Sequence, residues 1–207
     1  ALKDPKDFKL VGTPAKRLDT PAKVNGTAVY GIDAKVPGMK IGTLAACPVF
    51  GGKLKSVNDS KALAVKDVFQ VVKLDDAVAV IAAHMGAAKK GLAALEIEWD
   101  AGPNAKLTTA DIVASMAEVS KVEGVIALNR GDVAKALSGA SQKLDAIYEL
   151  PFLAHTTMEP INCTVDVRKD GCDVWVGTRV IGRAQGVAAQ ITGLPPEKVV
   201  VHNHLLG

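Results

Sequence analysis

Aromatic residues are scarce in this chain. Phe, Trp and Tyr supply only 4% of its 207 residues while apolar residues as a whole supply 48%, so a core has to be assembled from Val, Ala, Leu and Ile. Apolar content of that size excludes a wholly disordered chain. Long apolar runs are missing too: nothing approaches the roughly 18 unbroken residues a membrane helix needs, and no charged-then-apolar signal segment opens the chain. Charge of one sign is equally sparse. The formal net charge is +3 with no run of five or more basic residues, which gives no electrostatic footprint for nucleic acid. Cysteine is limited to Cys47, Cys163 and Cys172. That odd set makes no disulfide framework and falls short of the thiolates that usually hold an iron–sulfur cluster. No Walker loop, G-x-G-x-x-G, H-E-x-x-H or G-x-S-x-G occurs.

What is present is a mixture of strand and helix signals without regular alternation, which predicts an α+β fold. Residues 1–26 are polar, carry Pro5, Pro14 and Pro21, and read as an extended lead-in. Strand-like runs follow at Thr27–Ile32, Met39–Ala45 and Lys53–Val57, separated by Val36-Pro37-Gly38 and Phe50-Gly51-Gly52. Asp59 opens a short helix, and Gln70–Leu74 with Ala77–Ala83 predicts a hairpin across Asp75-Asp76. Met85–Ala94 reads as a helix with His84 at its start, and Leu95–Trp99 as a strand. Ala101-Gly102-Pro103-Asn104 is the best linker candidate. Thr108 and Asp111 form a capping-box pattern for a helix reaching about Ser120.

Farther on, Asp132–Leu137 suits a short helix and Leu144–Leu150 a strand. A hairpin is expected over Asn162–Thr178 around Asp170-Gly171, with Val167 opposite Val174, Val165 opposite Val176 and Cys163 opposite Thr178. That register leaves Cys163 and Cys172 unpaired. Ile181–Ile191 reads as a helix stopped by Gly193 and Pro195-Pro196, and Val199–His202 as a final strand. The domain division that follows is 1–26 lead-in, 27–103 first domain, 104–142 connecting helical segment and 143–207 second domain, whose exposed apolar face favours self-association.

Two constellations could carry chemistry. His202 and His204, two apart on a strand, share a face, but without a third ligand nearby a structural role is favoured over a metal site. His155 and Glu159, four apart in a loop between strands, can approach one site, and hydrogen bonding within the loop is the simpler reading of them.

The residues also resemble a known family. Gly12-Thr13-Pro14, Arg17-Leu18-Asp19, Lys23-Val24-Asn25-Gly26 and Ala28-Val29-Tyr30-Gly31-Ile32-Asp33 are similar to one stretch of it, and Cys47-Pro48-Val49-Phe50-Gly51-Gly52 to the next. Gly131-Asp132-Val133, Tyr148-Glu149, His155-x-x-Met158-Glu159-Pro160, Trp175-Val176-Gly177-Thr178, Gly193-Leu194-Pro195 and Lys198-Val199 follow in order. Together they resemble the molybdenum-cofactor-binding large subunits of the xanthine dehydrogenase and aldehyde oxidase superfamily, nearest the isoquinoline 1-oxidoreductase β-subunit type.

The resemblance implies an internal piece of such a subunit, inactive alone: an α/β-hammerhead domain over 27–103, then an incomplete molybdopterin-binding lobe over 143–207. It implies a molybdenum–molybdopterin cofactor, in its cytosine dinucleotide form, in the parent protein and none bound to this piece. The implied reaction oxidises an aldehyde or N-heterocycle with water-derived oxygen and passes electrons to a small subunit with two 2Fe–2S clusters. Leu153, His155, Glu159 and Gly207 are the implied cofactor-binding positions. Leu153 stands where many relatives carry Gln, and none of the four is assigned a catalytic or metal-ligating role. The family's catalytic glutamate and its Gly-Phe-Gly loop are expected after Gly207. The alternative is a non-catalytic scaffold or subunit-docking module with a hammerhead fold.

Overall fold

The computed structural model describes residues 2–207. In chain order the elements are α1 (Thr20–Val24), β1 (Ile41–Ala46), β2 (Lys53–Asn58), α2 (Ser60–Leu63), β3 (Val68–Lys73), β4 (Ala77–Ala82), α3 (Met85–Ala93) and β5 (Glu96–Asp100). Then come α4 (Thr109–Val119), α5 (Val133–Gly139), β6 (Thr164–Val167), β7 (Cys172–Val176), α6 (Ile181–Thr192) and β8 (Val199–Asn203). They fall into two compact units: residues 38–149, and the N-terminal stretch through Pro37 together with residues 150–207.

In the unit of residues 38–149, β4 lies between β1 and β3 and pairs antiparallel with both. Its Ala77-Val78-Ala79-Val80-Ile81-Ala82 sequence has no polar side chain, and Val78, Val80 and Ala82 are fully buried. The helix α3 packs on this sheet. His84 caps it, with Nδ1 accepting from the Ala87 N–H at 3.2 Å, a capping role rather than a catalytic one. A Cβ at Gly91 would stand 2.8 Å from Val80 Cγ1 and 2.9 Å from Val68 Cγ2. Glycine therefore lets the helix backbone settle onto the valines. The pair β2–β5 is antiparallel with a bulge between Leu54 and Ser56, and its exposed face carries Lys55–Glu98 and Lys61–Glu96 ion pairs. The capping box forms as expected: Thr108 Oγ1 accepts from the Asp111 N–H at 3.2 Å, and Asp111 Oδ2 accepts from the Thr108 N–H at 2.9 Å. The Gly102–Asn104 segment is a 3-10 turn whose Asn104 Nδ2 donates to the Phe50 carbonyl.

In the other unit, β7 lies between β6 and β8, antiparallel to the first and parallel to the second. The helix α6 makes the crossover between the parallel strands. It packs Ala189 against Cys172, Val174 and Val199, and Gln185 Nε2 donates to the Pro196 and Val199 carbonyls at 3.0 Å. Gly193 ends the helix at φ +71°.

Three sequence expectations are corrected. The β6–β7 hairpin pairs Val167 with Cys172 and Val165 with Val174, two residues from the predicted register. A two-residue shift keeps every side chain on its face, so the apolar pattern could not distinguish the two. In the observed register the Arg168 N–H donates to the Gly171 carbonyl at 2.8 Å, which places Lys169 and Asp170 at the tip of the turn, and the Arg168 guanidinium bridges Asp166 and Asp173. Cys163 and Cys172 are both free thiols. Thr27–Ile32 is not a strand. Asp33 accepts from the Tyr30 N–H at 3.0 Å and folds Gly31–Asp33 into a 3-10 turn, leaving one parallel bridge between Tyr30 and Leu205. Leu144–Leu150 joins no ladder among the described residues, and Leu144 is 94% exposed. Alternating apolar residues cannot hold a strand whose N–H and C=O groups lack a partner.

Candidate functional site

The loop between residues 154 and 163 collects the chemistry of this unit. Glu159 is its centre, half-buried, with both carboxylate oxygens engaged. Oε1 accepts from the Ile32 N–H at 3.0 Å and from Asn162 Nδ2 at 2.9 Å, and Oε2 accepts from the Gly207 N–H at 2.9 Å. Burial pushes the Glu159 carboxyl up. The hydrogen bonds from Asn162, Ile32 and Gly207, helped by the nearby His204, outweigh burial and hold it below the ordinary glutamate value.

Two glycines allow this convergence. A Cβ at Gly207 would lie 2.6 Å from Glu159 Cβ, and one at Gly31 would lie 2.9 Å from Asn162 Oδ1 and 3.2 Å from the Gly177 nitrogen. Asn162 Nδ2 also donates to the Pro160 carbonyl at 2.8 Å, and Thr157 Oγ1 donates to the Glu159 carbonyl at 2.6 Å.

Beside this knot lies a cleft of about 310 Å³, lined among others by His155, Glu159, Asn162, Gly177, Thr178 and Gly207. His155 is exposed on its rim, and no hydrogen bond joins it to Glu159. Two buried polar atoms lack a partner among the described residues, Asn162 Oδ1 and His204 Nε2. A buried polar atom left unpaired costs roughly 1–3 kcal/mol, and Asn162 lines the cleft. The structure therefore brings His155, Glu159 and Gly207 to one place. Leu153 is 85% exposed and lies outside the cleft lining.

Asn162, Gly31 and Thr178 were not anticipated as site residues. For Asn162, the signal in the sequence is its place three residues after Glu159.

His202, in β8, and His204, just after it, have different partners. His202 Nε2 bonds Asp173 Oδ1 at 2.6 Å and its ring stacks on Trp175 at 4.8 Å. The His204 N–H donates to the Val176 carbonyl at 3.0 Å. No group of three or more His, Cys, Asp or Glu residues able to hold a metal ion occurs among the described residues. The hydrogen bonds from His202 and Arg168 hold Asp173 below the ordinary aspartate value.

Residues 117–207 match the family described as the molybdopterin cofactor-binding domain. Over its whole length the chain is 31% identical to isoquinoline 1-oxidoreductase subunit beta of Brevundimonas diminuta. It is 33% identical, again over its whole length, to a protein of Gluconacetobacter polyoxogenes named membrane-bound aldehyde dehydrogenase (pyrroloquinoline-quinone). It spans 28% of the length of each of these relatives. Among solved structures, quinoline 2-oxidoreductase of Pseudomonas putida matches with a TM-score of 0.68 at 14% identity, over 95% of this chain and 30% of that one. At that identity the likeness shows a shared mixed helix-and-sheet fold. The chain thus matches the molybdopterin cofactor-binding domain over residues 117–207 and is similar along its full length to isoquinoline 1-oxidoreductase subunit beta.

Proposed function

We propose that this chain is part of the large subunit of a molybdenum hydroxylase that oxidises an aldehyde or an N-heterocycle, and that the cleft at the 155–162 loop is one wall of its cofactor cradle. The observation that carries the reading is the convergence of His155, Glu159 and Gly207 on one cleft that Gly177 and Gly207 border without side chains. Those features fit a pterin, a flat ligand with hydrogen-bonding edges that needs close approach to backbone.

Each residue has a defined task in this reading. His155, on the rim, presents an imidazole to the ligand. Asn162 donates its amide nitrogen to Glu159 and to the Pro160 carbonyl and so fixes the floor of the loop. Glu159 has both oxygens committed to protein donors and so orders the loop rather than touching the ligand. Leu153 is assigned to the substrate-side wall, completed by other parts of the parent protein. When bound, the molybdenum–molybdopterin supplies the redox centre and delivers water-derived oxygen to the substrate.

The finer features belong to the same proposal. The cofactor is taken in its cytosine dinucleotide form. Residues 27–103 are assigned to an α/β-hammerhead domain, residues 104–142 to a connecting segment and residues 143–207 to the start of the cofactor domain. A small subunit with two 2Fe–2S clusters takes the electrons, in keeping with the few cysteines here. This piece is inactive alone.

The test is molybdenum content by elemental mass spectrometry of the full-length parent purified with its small subunit, with this chain run alongside. Near-stoichiometric molybdenum in the parent and none in this chain is the expected result. No molybdenum in the parent, from cells that make the cofactor, would replace the enzyme reading with a scaffold or docking module.

A further inference from the structure

Glu159 does more than brace its own loop. Its acceptors draw together three segments: the turn at Gly31–Asp33, the loop through Asn162, and the stretch that leaves β8 for Gly207. Ile32 lies 127 residues from Glu159 in sequence and Gly207 lies 48. The contacts around it support the same closure. Tyr30 and Leu205 form a parallel bridge, a Cβ at Gly177 would stand 3.0 Å from the Leu205 carbonyl, and a Cβ at Gly207 would stand 3.4 Å from Tyr30 Cδ1.

We propose that Glu159 is a positioning residue, a carboxylate latch that holds the N-terminal turn and the chain leaving β8 against the 155–162 loop and thereby sets the width of the cleft. What the cleft holds rests on the cofactor reading above; the latch itself does not. A carboxylate suits the task because it offers two acceptor oxygens and no donor, and all three of its partners here are N–H groups. Glutamine at this position replaces one acceptor with a donor, so one of the two backbone amides faces an NH₂ group and loses its bond.

The charge gives the latch a pH dependence of known sign. A carboxyl held below its ordinary value in the folded chain stabilises at pH above the unfolded value, and the contribution disappears as pH falls through the folded one. Tyr30 and Asp33 on the turn, His155 on the loop and His204 just after β8 are the other ionisable groups around it. Asp33 is reported separately by the Tyr30 amide that it accepts from.

The measurement is a proton titration of the backbone amides of the 207-residue chain by NMR, followed by amide hydrogen exchange in Glu159→Gln. The Ile32 and Gly207 amide protons should titrate together, with one midpoint below that of an ordinary glutamate and distinct from any shift at Tyr30. In Glu159→Gln the common titration should vanish, and exchange at Ile32 or Gly207 should quicken about tenfold, the loss of one charge-assisted bond. Exchange at Val174 in β7 should be unchanged. Independent midpoints for the two amides, or unchanged exchange at both in Glu159→Gln, would overturn the latch. If the variant does not fold, the titration of the unsubstituted chain decides alone. The molybdenum assay is a separate readout: a parent without metal removes the cofactor reading and leaves the latch standing, whereas absent titration does the reverse.

Discussion

Each unit contains a three-stranded sheet with a helix packed on it, and the two close that layer differently. In residues 38–149 the middle strand β4 is apolar throughout and α3 lies on it through Ala87, Ala88 and Gly91. In the other unit α6 covers β7 and β8 and leaves the β6 side open, as a groove of about 570 Å³ lined among others by Val165, Val167, Val187 and Ile191. Small residues account for both outcomes. Val78, Val80 and Cys172 are the largest fully buried side chains. In an aromatic-poor chain, closure depends on bringing backbones together rather than on filling space with rings. Gly91 achieves that approach in the first unit, whereas in α6 the buried small residue is Ala189 and the glycines Gly182 and Gly186 face open space.

The largest expected effect breaks the closed unit. A Cβ at residue 91 already falls inside the normal contact distance of Val80 and Val68 methyls, so Gly91→Val overpacks the interface and should destabilise by about 3 kcal/mol. Denaturant unfolding of the variant checks it. A loss near zero would mean that α3 lifts off the sheet at little cost, and the contrast between the units would disappear.

The same contrast shows which features of the fold could be read from the sequence. The β3–β4 hairpin, α3, α4 with its Thr108 cap and α6 with its Gly193 stop are set by periodicity and capping, which act over a few residues and are printed in them. The failures lie where periodicity alone does not decide the pairing. Residues 144–150 have strand periodicity but no ladder partner among the described residues. Residues 27–32 have strand composition, but Asp33 turns them. The hairpin at 164–176 sits two residues from the predicted register, a shift that leaves its apolar face unchanged and so cannot be read from the pattern. The site divides likewise. His155 and Glu159 were visible as a four-residue spacing, whereas Gly31 and Asn162 acquired meaning only when residue 32 arrived at the Glu159 carboxylate.

A smaller effect of opposite sign sharpens the comparison. Gly186 sits inside α6, and a Cβ there meets nothing within 4 Å. Gly186→Ala should therefore stabilise by about 1 kcal/mol, through helix propensity and a less flexible unfolded chain. The helix of the closed unit penalises an added side chain at its central glycine, and the helix of the open unit welcomes one. Thermal unfolding of the pair, Gly91→Val and Gly186→Ala, tests the assignment directly. Destabilisation by Gly186→Ala would show that α6 packs more closely than the open groove allows.

The smallest effect on stability carries information about the groove itself. Ile191 is 79% exposed on α6, so Ile191→Ser should change unfolding free energy by less than about 0.5 kcal/mol. Its effect should appear instead in association. A contiguous apolar groove on a chain of 21.5 kDa favours contact between copies as concentration rises. Sedimentation equilibrium should give an average mass that climbs above the monomer value for the unsubstituted chain and climbs less for Ile191→Ser. The serine removes apolar surface that only a neighbour would cover, so the difference separates burial between molecules from burial within one. A monomeric profile for the unsubstituted chain at high concentration would mean that Val165, Val167, Val187 and Ile191 do not act as one patch, and the open unit would then differ from the closed one in shape but not in adhesion.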